Sequence, residues 1–399
     1  MKKKSFIQQM AVRLLPVLMM VSCKPAAEPV YKAKYHNDIF GIFQTPDGGF
    51  LITLSRINKE ATDCGFIKCN TYLTASTFGD ICLIKTDANG AVLWEKVIEE
   101  KIDETDMTAR MSPDGNLLIA GTASARGTNP NGFIAKFNLE GVLLWRKMFE
   151  PVTRAFYNVA FSISAEGTMV RNIRFPDTNR SGFKVFDAKG DTKWQYIPPA
   201  TIEGALIDAI CLDNGEIMAF YPNLVQKFDK DGTLLWSRSV DWSAEYVEKA
   251  KGGGFWVKWN NKIGRFNNNG DLTASIDLDI NQVKITHFAD NASGELLIWR
   301  PDGPLHYILI NDTGQLKMNQ QISLRNPPPT KEVLHLINPK FVQILPDKSM
   351  LLVEKEDINV NQSGYYTCNI LLSKLSETGT RLRTTTIAKG EWDLMIGGF

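Results

Sequence analysis

Histidine is scarce in this 399-residue chain, and His36, His287, His306 and His335 share no metal-ligand spacing. The pattern therefore offers no metal centre and no histidine-based catalytic set. Long apolar runs are also missing. Beyond Val21 no stretch of about 18 apolar residues occurs, so no further membrane-spanning helix is expected. Charge of one sign is not in excess, with 45 basic residues against 44 acidic ones, which gives no reason to expect nucleic acid as a partner. Helical periodicity is wanting outside the first residues. No nucleophile elbow or phosphate-cradling loop is present, because Gly252-Gly-Gly254 falls in a hairpin and does not open a helix. Neither a cofactor nor a metal is expected.

Cysteine is sparse. Cys64 and Cys69 flank a polar stretch and are expected to form a local disulfide in an oxidising compartment. A zinc site there would need more ligands, and no histidine lies nearby. Cys82, Cys211 and Cys368 sit in or beside apolar runs, as buried thiols do.

The chain opens with Lys2, Lys3 and Lys4, an apolar stretch from Leu14 to Val21, and Ser22-Cys23. A basic start, a short apolar core and a small residue before the cleavage point describe a secretory signal. The ending Met20-Val-Ser-Cys23 resembles the lipobox of bacterial lipoproteins, with Met20 where that family usually carries leucine. The resemblance implies a signal at 1–22, lipid on Cys23, a tether at 23–35 and a folded domain at 36–399. An ordinary signal peptide or short anchor is the alternative. Removing Lys2, Lys3, Lys4 and Arg13 leaves the mature chain slightly acidic. Lys24 after the lipidated cysteine gives no acidic retention signal, which points to the outer membrane with the leaflet open.

What the chain has in abundance is a turn. Seven segments end an apolar run with an acidic, amide or hydroxyl residue three positions before glycine: Asp87–Gly90, Asn138–Gly141, Asp187–Gly190, Asp229–Gly232, Asn267–Gly270, Asn311–Gly314 and Ser376–Gly379. A second glycine hairpin precedes each, except that Lys348 replaces glycine in the seventh. Asp and Asn bond their own backbone two residues on, and glycine supplies the positive φ of a tight hairpin. Short β-rich runs flank every turn, giving four strands, A to D, per unit. Four-stranded units of about 40–50 residues predict a β-propeller, here with seven blades of antiparallel strands.

Trp94, Trp145, Trp194 and Trp236 stand four residues after their glycines and are expected to pack one blade on the next. Lys85, Lys136, Lys227, Arg265 and Lys374 recur five residues before the glycine; the pattern reads as a charged ladder on exposed strand faces, with a basic binding stripe as the alternative. The Asp-x-x-Gly-x-x-x-Trp pattern resembles the quinoprotein-like propeller repeat, over nearly the whole mature chain. That family includes cofactor-dependent dehydrogenases and the lipid-anchored, eight-bladed propeller of the outer-membrane barrel-assembly machine. The resemblance implies a scaffold and no particular activity.

A–B and C–D turns emerge on one face of a propeller, B–C loops and D–A crossings on the other. Here length varies only on the second face, in the stretches 56–78, 122–131, 354–365 and 174–181 of units 1, 2, 7 and 3, and in the crossing that holds Pro327-Pro-Pro329. Long loops on a rigid scaffold are where binding resides. Tyr72, Arg126, Asn129, Phe156, Tyr157, Arg174 and Tyr365 are the candidates in this wall, and Tyr221, Trp259, Trp299 and Arg300 those on the low side. Inner strands start near Asp38, Asp106, Asn158, Glu245, Lys284 and Lys340, ringing a polar channel mouth. Asp103-Glu-Thr-Asp106 with Asp38 reads as a solvated loop, not a calcium site. The reading that follows is a monomeric, membrane-tethered binding or scaffold module for a protein or glycan. Its alternatives are a glycan-acting enzyme, which needs convergent carboxylates or a His–Tyr–Arg cluster in the loop-rich face, and an envelope-assembly factor.

Overall fold

The structure is a computed structural model that describes residues 35–58, 80–98, 103–124, 131–151, 161–250, 252–277, 287–290, 296–299, 305–311, 315–322, 333–345, 347–360, 365–377 and 379–393. No helix occurs among the described residues. Twenty-eight strands form seven four-stranded sheets, each in chain order and antiparallel throughout. Their first strands are Tyr35–Gln44, Asp103–Met111, Phe161–Ile163, Asp208–Cys211, Tyr246–Lys249, His287–Asp290 and Val333–Ile344. These inner strands touch from sheet 1 to 2, 2 to 3, 3 to 4, 4 to 5 and 6 to 7, and the strand Tyr35–Gln44 meets Arg381–Asp393 of sheet 7. The fold is a β-propeller.

The turn chemistry builds each sheet. In the first C–D hairpin Asp87 Oδ1 accepts the N–H groups of Asn89 and Ala91, both at 2.8 Å, while Gly90 adopts φ +81° and donates to the Asp87 carbonyl. The same double acceptance recurs at Asn138, Asp187, Asp229 and Asn267. The register of each C–D pair shifts once beside its turn, as at Lys85/Thr86 and Lys227/Phe228. This is a bulge closed by a left-handed glycine, the standard way to join strands with a three-residue loop.

The middle strands are apolar on both faces because both faces are covered. Leu51 packs towards sheet 2 with Leu83, Ile119 and Phe133, whereas its neighbours Phe50 and Ile52 pack towards sheet 7 with Leu351, Val353 and Leu372. Separate cores join sheets 2 and 3, 3 and 4, and 4 and 5. First and last sheets thus share a core without exchanging a strand, since each is built from one continuous stretch of chain.

The tryptophans lie against the glycine of the following sheet. A Cβ on Gly141 would come within 2.9 Å of Trp94, one on Gly190 within 2.7 Å of Trp145, one on Gly232 within 3.0 Å of Trp194 and one on Gly270 within 2.8 Å of Trp236. Trp194 Nε1 also donates to the Lys230 carbonyl at 3.0 Å. The residue two positions on reinforces the seam: Lys147 pairs with Asp191 at 2.8 Å and Arg238 with Asp271 at 3.2 Å.

Three expectations change. The basic ladder is not on exposed faces: Lys85 and Lys227 are buried, each paired with an acid in the A–B turn of its own sheet, Lys85 with Asp47 and Lys227 with Glu216. Lys136 and Lys374 make the same link to Asp114 and Asp347. In sheet 7 most of 354–365 is strand, because Met350–Val360 and Tyr365–Leu375 run long. Asp103–Met111 is likewise a strand, so Asp103-Glu-Thr-Asp106 is not a loop.

Candidate functional site

Polar side chains from four sheets converge at the axis. Arg110 is the penultimate residue of the inner strand of sheet 2, and Glu248 holds the matching position in sheet 5. Their side chains approach to 3.8 Å, from Arg110 NH2 to Glu248 Oε2. These sheets are not neighbours in the ring, so the contact crosses it. Tyr246, two residues earlier on the same strand, donates its hydroxyl to Glu248 Oε2 at 3.1 Å. Asp208 opens the inner strand of sheet 4, as Tyr246 opens that of sheet 5. Its Oδ1 accepts the Ala209 N–H at 2.7 Å and, at 3.4 Å, an N–H of Asn172 from sheet 3. One step closer to the turns, Lys249 crosses from sheet 5 to donate to the Ile163 carbonyl of sheet 3 at 2.9 Å and pairs with Asp213 of sheet 4.

Burial, reinforced by the Glu248 charge, pushes the Asp208 carboxyl up to about 8; the Ala209 N–H, the Arg110 charge and Asn172 offset this only in part. Burial and the adjacent Glu248 raise the Tyr246 phenol well above its usual range. At neutral pH Asp208 is thus a proton donor. Glu248 keeps partial solvent contact, its side chain 25 % exposed, beside an Arg110 side chain that is 38 % exposed. The arrangement can accept and donate hydrogen bonds. No group of three or more acidic, histidine or cysteine side chains among the described residues could hold a metal ion.

The sequence-based candidates fall elsewhere. Tyr221 is fully buried in the core between sheets 3 and 4, its hydroxyl without a hydrogen-bond partner. Trp259 is 7 % exposed and stacks on Trp242 with ring centres 5.3 Å apart. Both are core residues, not surface contacts. Arg174 is half-buried and donates to Asn179 Oδ1 at 2.9 Å across the short turn at 176–179. Tyr365 and Trp299 stand on strands, and Tyr72, Arg126, Asn129, Phe156, Tyr157 and Arg300 lie outside the described residues, as do Cys23, Cys64 and Cys69. Cys82 and Cys211 are buried free thiols, their ionisation pushed up to about 12 by burial. Two clefts, of 460 and 330 Å³, flank Thr45-Pro46 on the tight-turn side of sheets 1 and 2; the second includes the Lys85–Asp47 pair and the exposed Leu93.

Sequence reasoning missed Arg110, Asn172, Asp208, Tyr246 and Glu248. A signal existed: a charged residue within a short inner strand has no apolar role to play. Pairing such residues required the register between sheets.

No family model matches the chain, and no curated protein does. Among solved structures, a streptogramin B lyase aligns at 13% identity over 82% of this chain and 98% of its own, with a TM-score of 0.51. A quinoprotein alcohol dehydrogenase-like protein from Bacteroides thetaiotaomicron aligns at 11% identity over 90% of each chain, with a TM-score of 0.45. A protein of unknown function from Bacteroides caccae aligns at 15% identity over 68% of this chain and 93% of its own, with a TM-score of 0.40. At these identities the lyase likeness speaks for the propeller fold and for nothing more specific.

Proposed function

We propose that this chain is a lipid-anchored, seven-bladed propeller of the cell envelope that acts as a binding module, with each four-stranded sheet one blade. The observation that carries the reading is the meeting of Arg110 and Glu248 across the ring, with Asp208, Tyr246 and Asn172 around them. Buried polar groups are costly, and a packed structural core has no need of them. Their concentration at the axis supports a ligand-contacting role. The partner is a glycan or protein of the envelope, and Cys23 carries the anchor on the outer membrane.

Binding profiles of the purified protein on glycan arrays and envelope extracts test this, taken with wild type, Glu248→Gln and a form trimmed within 56–78. Loss of a partner in either variant supports the module; a profile that neither change alters argues against it. Cys23→Ala should move the protein from the membrane to the soluble fraction, and its retention there would remove the anchor.

A second reading is favoured by one observation. Asp208 holds its proton, and the charge of the more exposed Glu248 adds to burial in keeping it there. Two carboxyls near the axis, one of them holding its proton, are what the enzyme reading requires. Turnover of a bound glycan that ceases in both Asp208→Asn and Glu248→Gln would favour catalysis over binding alone.

A further inference from the structure

We infer that the axial cluster receives the protonated primary amine of its ligand. This rests on the reading of the cluster as a ligand site and names the chemistry the ligand must bring.

Among the described residues the cluster is short of donors and of positive charge. Its acceptors are two carboxyls, Asp208 and Glu248, and the side-chain oxygen of Asn172, which is buried and has no hydrogen-bond partner. Both hydrogen bonds to the Asp208 carboxyl fall on Oδ1, so Oδ2 takes neither. Among the described residues Arg110 is the one cation within the cluster. It stands 3.8 Å from Glu248, beyond hydrogen-bond length, and its NH1 is spent on the Ala109 carbonyl at 3.0 Å. Tyr246 gives its single proton to Glu248. Lys249, on the same strand, is turned away to Asp213 and the Ile163 carbonyl.

With both carboxyls ionised, the set of Asp208, Glu248 and Arg110 carries one negative charge too many. A buried charge without a partner is strongly disfavoured. The protein meets this by keeping a proton on Asp208. A ligand ammonium meets it differently, since it brings one positive charge and three N–H donors. Three acceptors await it: Asp208 Oδ2, the Glu248 carboxylate and Asn172 Oδ1. A hydroxyl brings one donor and no charge. An anion would face Glu248 with only one guanidinium in support.

The amine therefore displaces the proton of Asp208, and the balance is simple. R–NH3⁺ enters with its proton, the Asp208 O–H breaks, and about one H⁺ leaves to the buffer at pH 7. An amino sugar and an aliphatic diamine share this group, and the experiment separates them.

The test is calorimetric titration of the detergent-solubilised full chain with glucosamine, glucose and putrescine, repeated in buffers of different ionisation enthalpy. Glucosamine should bind at least about tenfold more tightly than glucose, as expected for hydrogen bonds to charged groups. Its apparent enthalpy should vary with buffer by close to one proton. Asp208→Asn and Glu248→Gln, both near-isosteric, should each weaken amine binding about tenfold or more, and Asp208→Asn should abolish proton release. Binding of glucosamine but not putrescine marks an amino sugar as the ligand class, and binding of both marks the ammonium alone. The inference is overturned if glucose binds as well as glucosamine, if no amine binds up to about 10 mM, or if amine binding is unchanged in both variants. Neutral-glycan binding that depends on Glu248 would sink the amine and leave the binding module standing.

Discussion

Trp94 lies over Gly141 of the next sheet, so closely that a single methyl group there would sit 2.9 Å from the ring. Gly141 also holds φ +71°, where a Cβ is disfavoured. The glycine of the turn motif thus serves its own hairpin and seats the tryptophan of the preceding sheet. Gly141→Ala should cost about 1–3 kcal/mol from the two effects together. Trp94→Ala should cost about 3–5 kcal/mol as a large truncation. The double variant should lose less than the sum, because the methyl no longer meets a ring. Urea unfolding of the four proteins gives the coupling, and strict additivity would show that the contact carries no energy.

Glu354 is fully buried, and its carboxylate is gripped by Arg381 through bonds of 2.7 and 2.8 Å, with Ser373 adding a third at 2.7 Å. Breaking such a pair leaves a charge without a partner and costs about 3–5 kcal/mol, whereas replacing both partners with apolar groups can be neutral. Arg381→Met should therefore be severely destabilising, and Glu354→Met with Arg381→Met should recover most of the loss. Thermal melts of the two forms check this; a double variant no better than the single would mean the pair is not what holds this stretch of sheet 7.

How much could be read beforehand follows from how local each feature is. The hairpins were legible because Asp87 and Gly90 solve one turn within four residues, and the same solution recurs down the chain. Glu354 was misread as loop because counting residues between glycines cannot tell a long loop from long strands. Lys85 was misread as exposed because charge alone does not reveal a partner, yet Asp47 waits in the adjoining turn of the same sheet. The axial cluster was beyond reach: Arg110, Asn172, Asp208 and Glu248 come from four sheets and meet only when the ring has closed.

Lys348 takes the place of glycine in the seventh A–B turn and is held at φ +63°. A non-glycine residue there carries about 1–2 kcal/mol of strain, part of which glycine returns as unfolded-state entropy. The side chain is exposed and its nearest carboxylate, Glu377, is 3.9 Å away, so little is lost with it. Lys348→Gly should raise stability by about 0.5–1 kcal/mol. A melting temperature that falls instead would mean the lysine contributes more than its backbone strain.

Asp208 should leave a mark on the pH dependence of stability. Its carboxyl moves from the ordinary value of 3.8 up to about 8 in the folded protein, driven by burial. Between those two values the native state holds a proton that the unfolded chain has released. Stability then falls as pH rises, by about 1.4 kcal/mol per pH unit for one such proton, and levels off above the folded value. Asp47 and Asp347 act in the opposite sense. Hydrogen bonds from Lys85 and Thr45 hold Asp47 low, and those from Ser349 and Lys374 bring Asp347 to about 2. Their contributions are present near neutrality and fade only in strong acid, outside the window of Asp208. The difference between wild type and Asp208→Asn therefore isolates the one carboxyl. Unfolding free energies measured from pH 5 to pH 9 should converge towards acid and separate towards alkali, with the asparagine form relatively more stable at high pH. Parallel profiles would place the Asp208 carboxyl back in its ordinary range, and an amine binding at the axis would then release no proton.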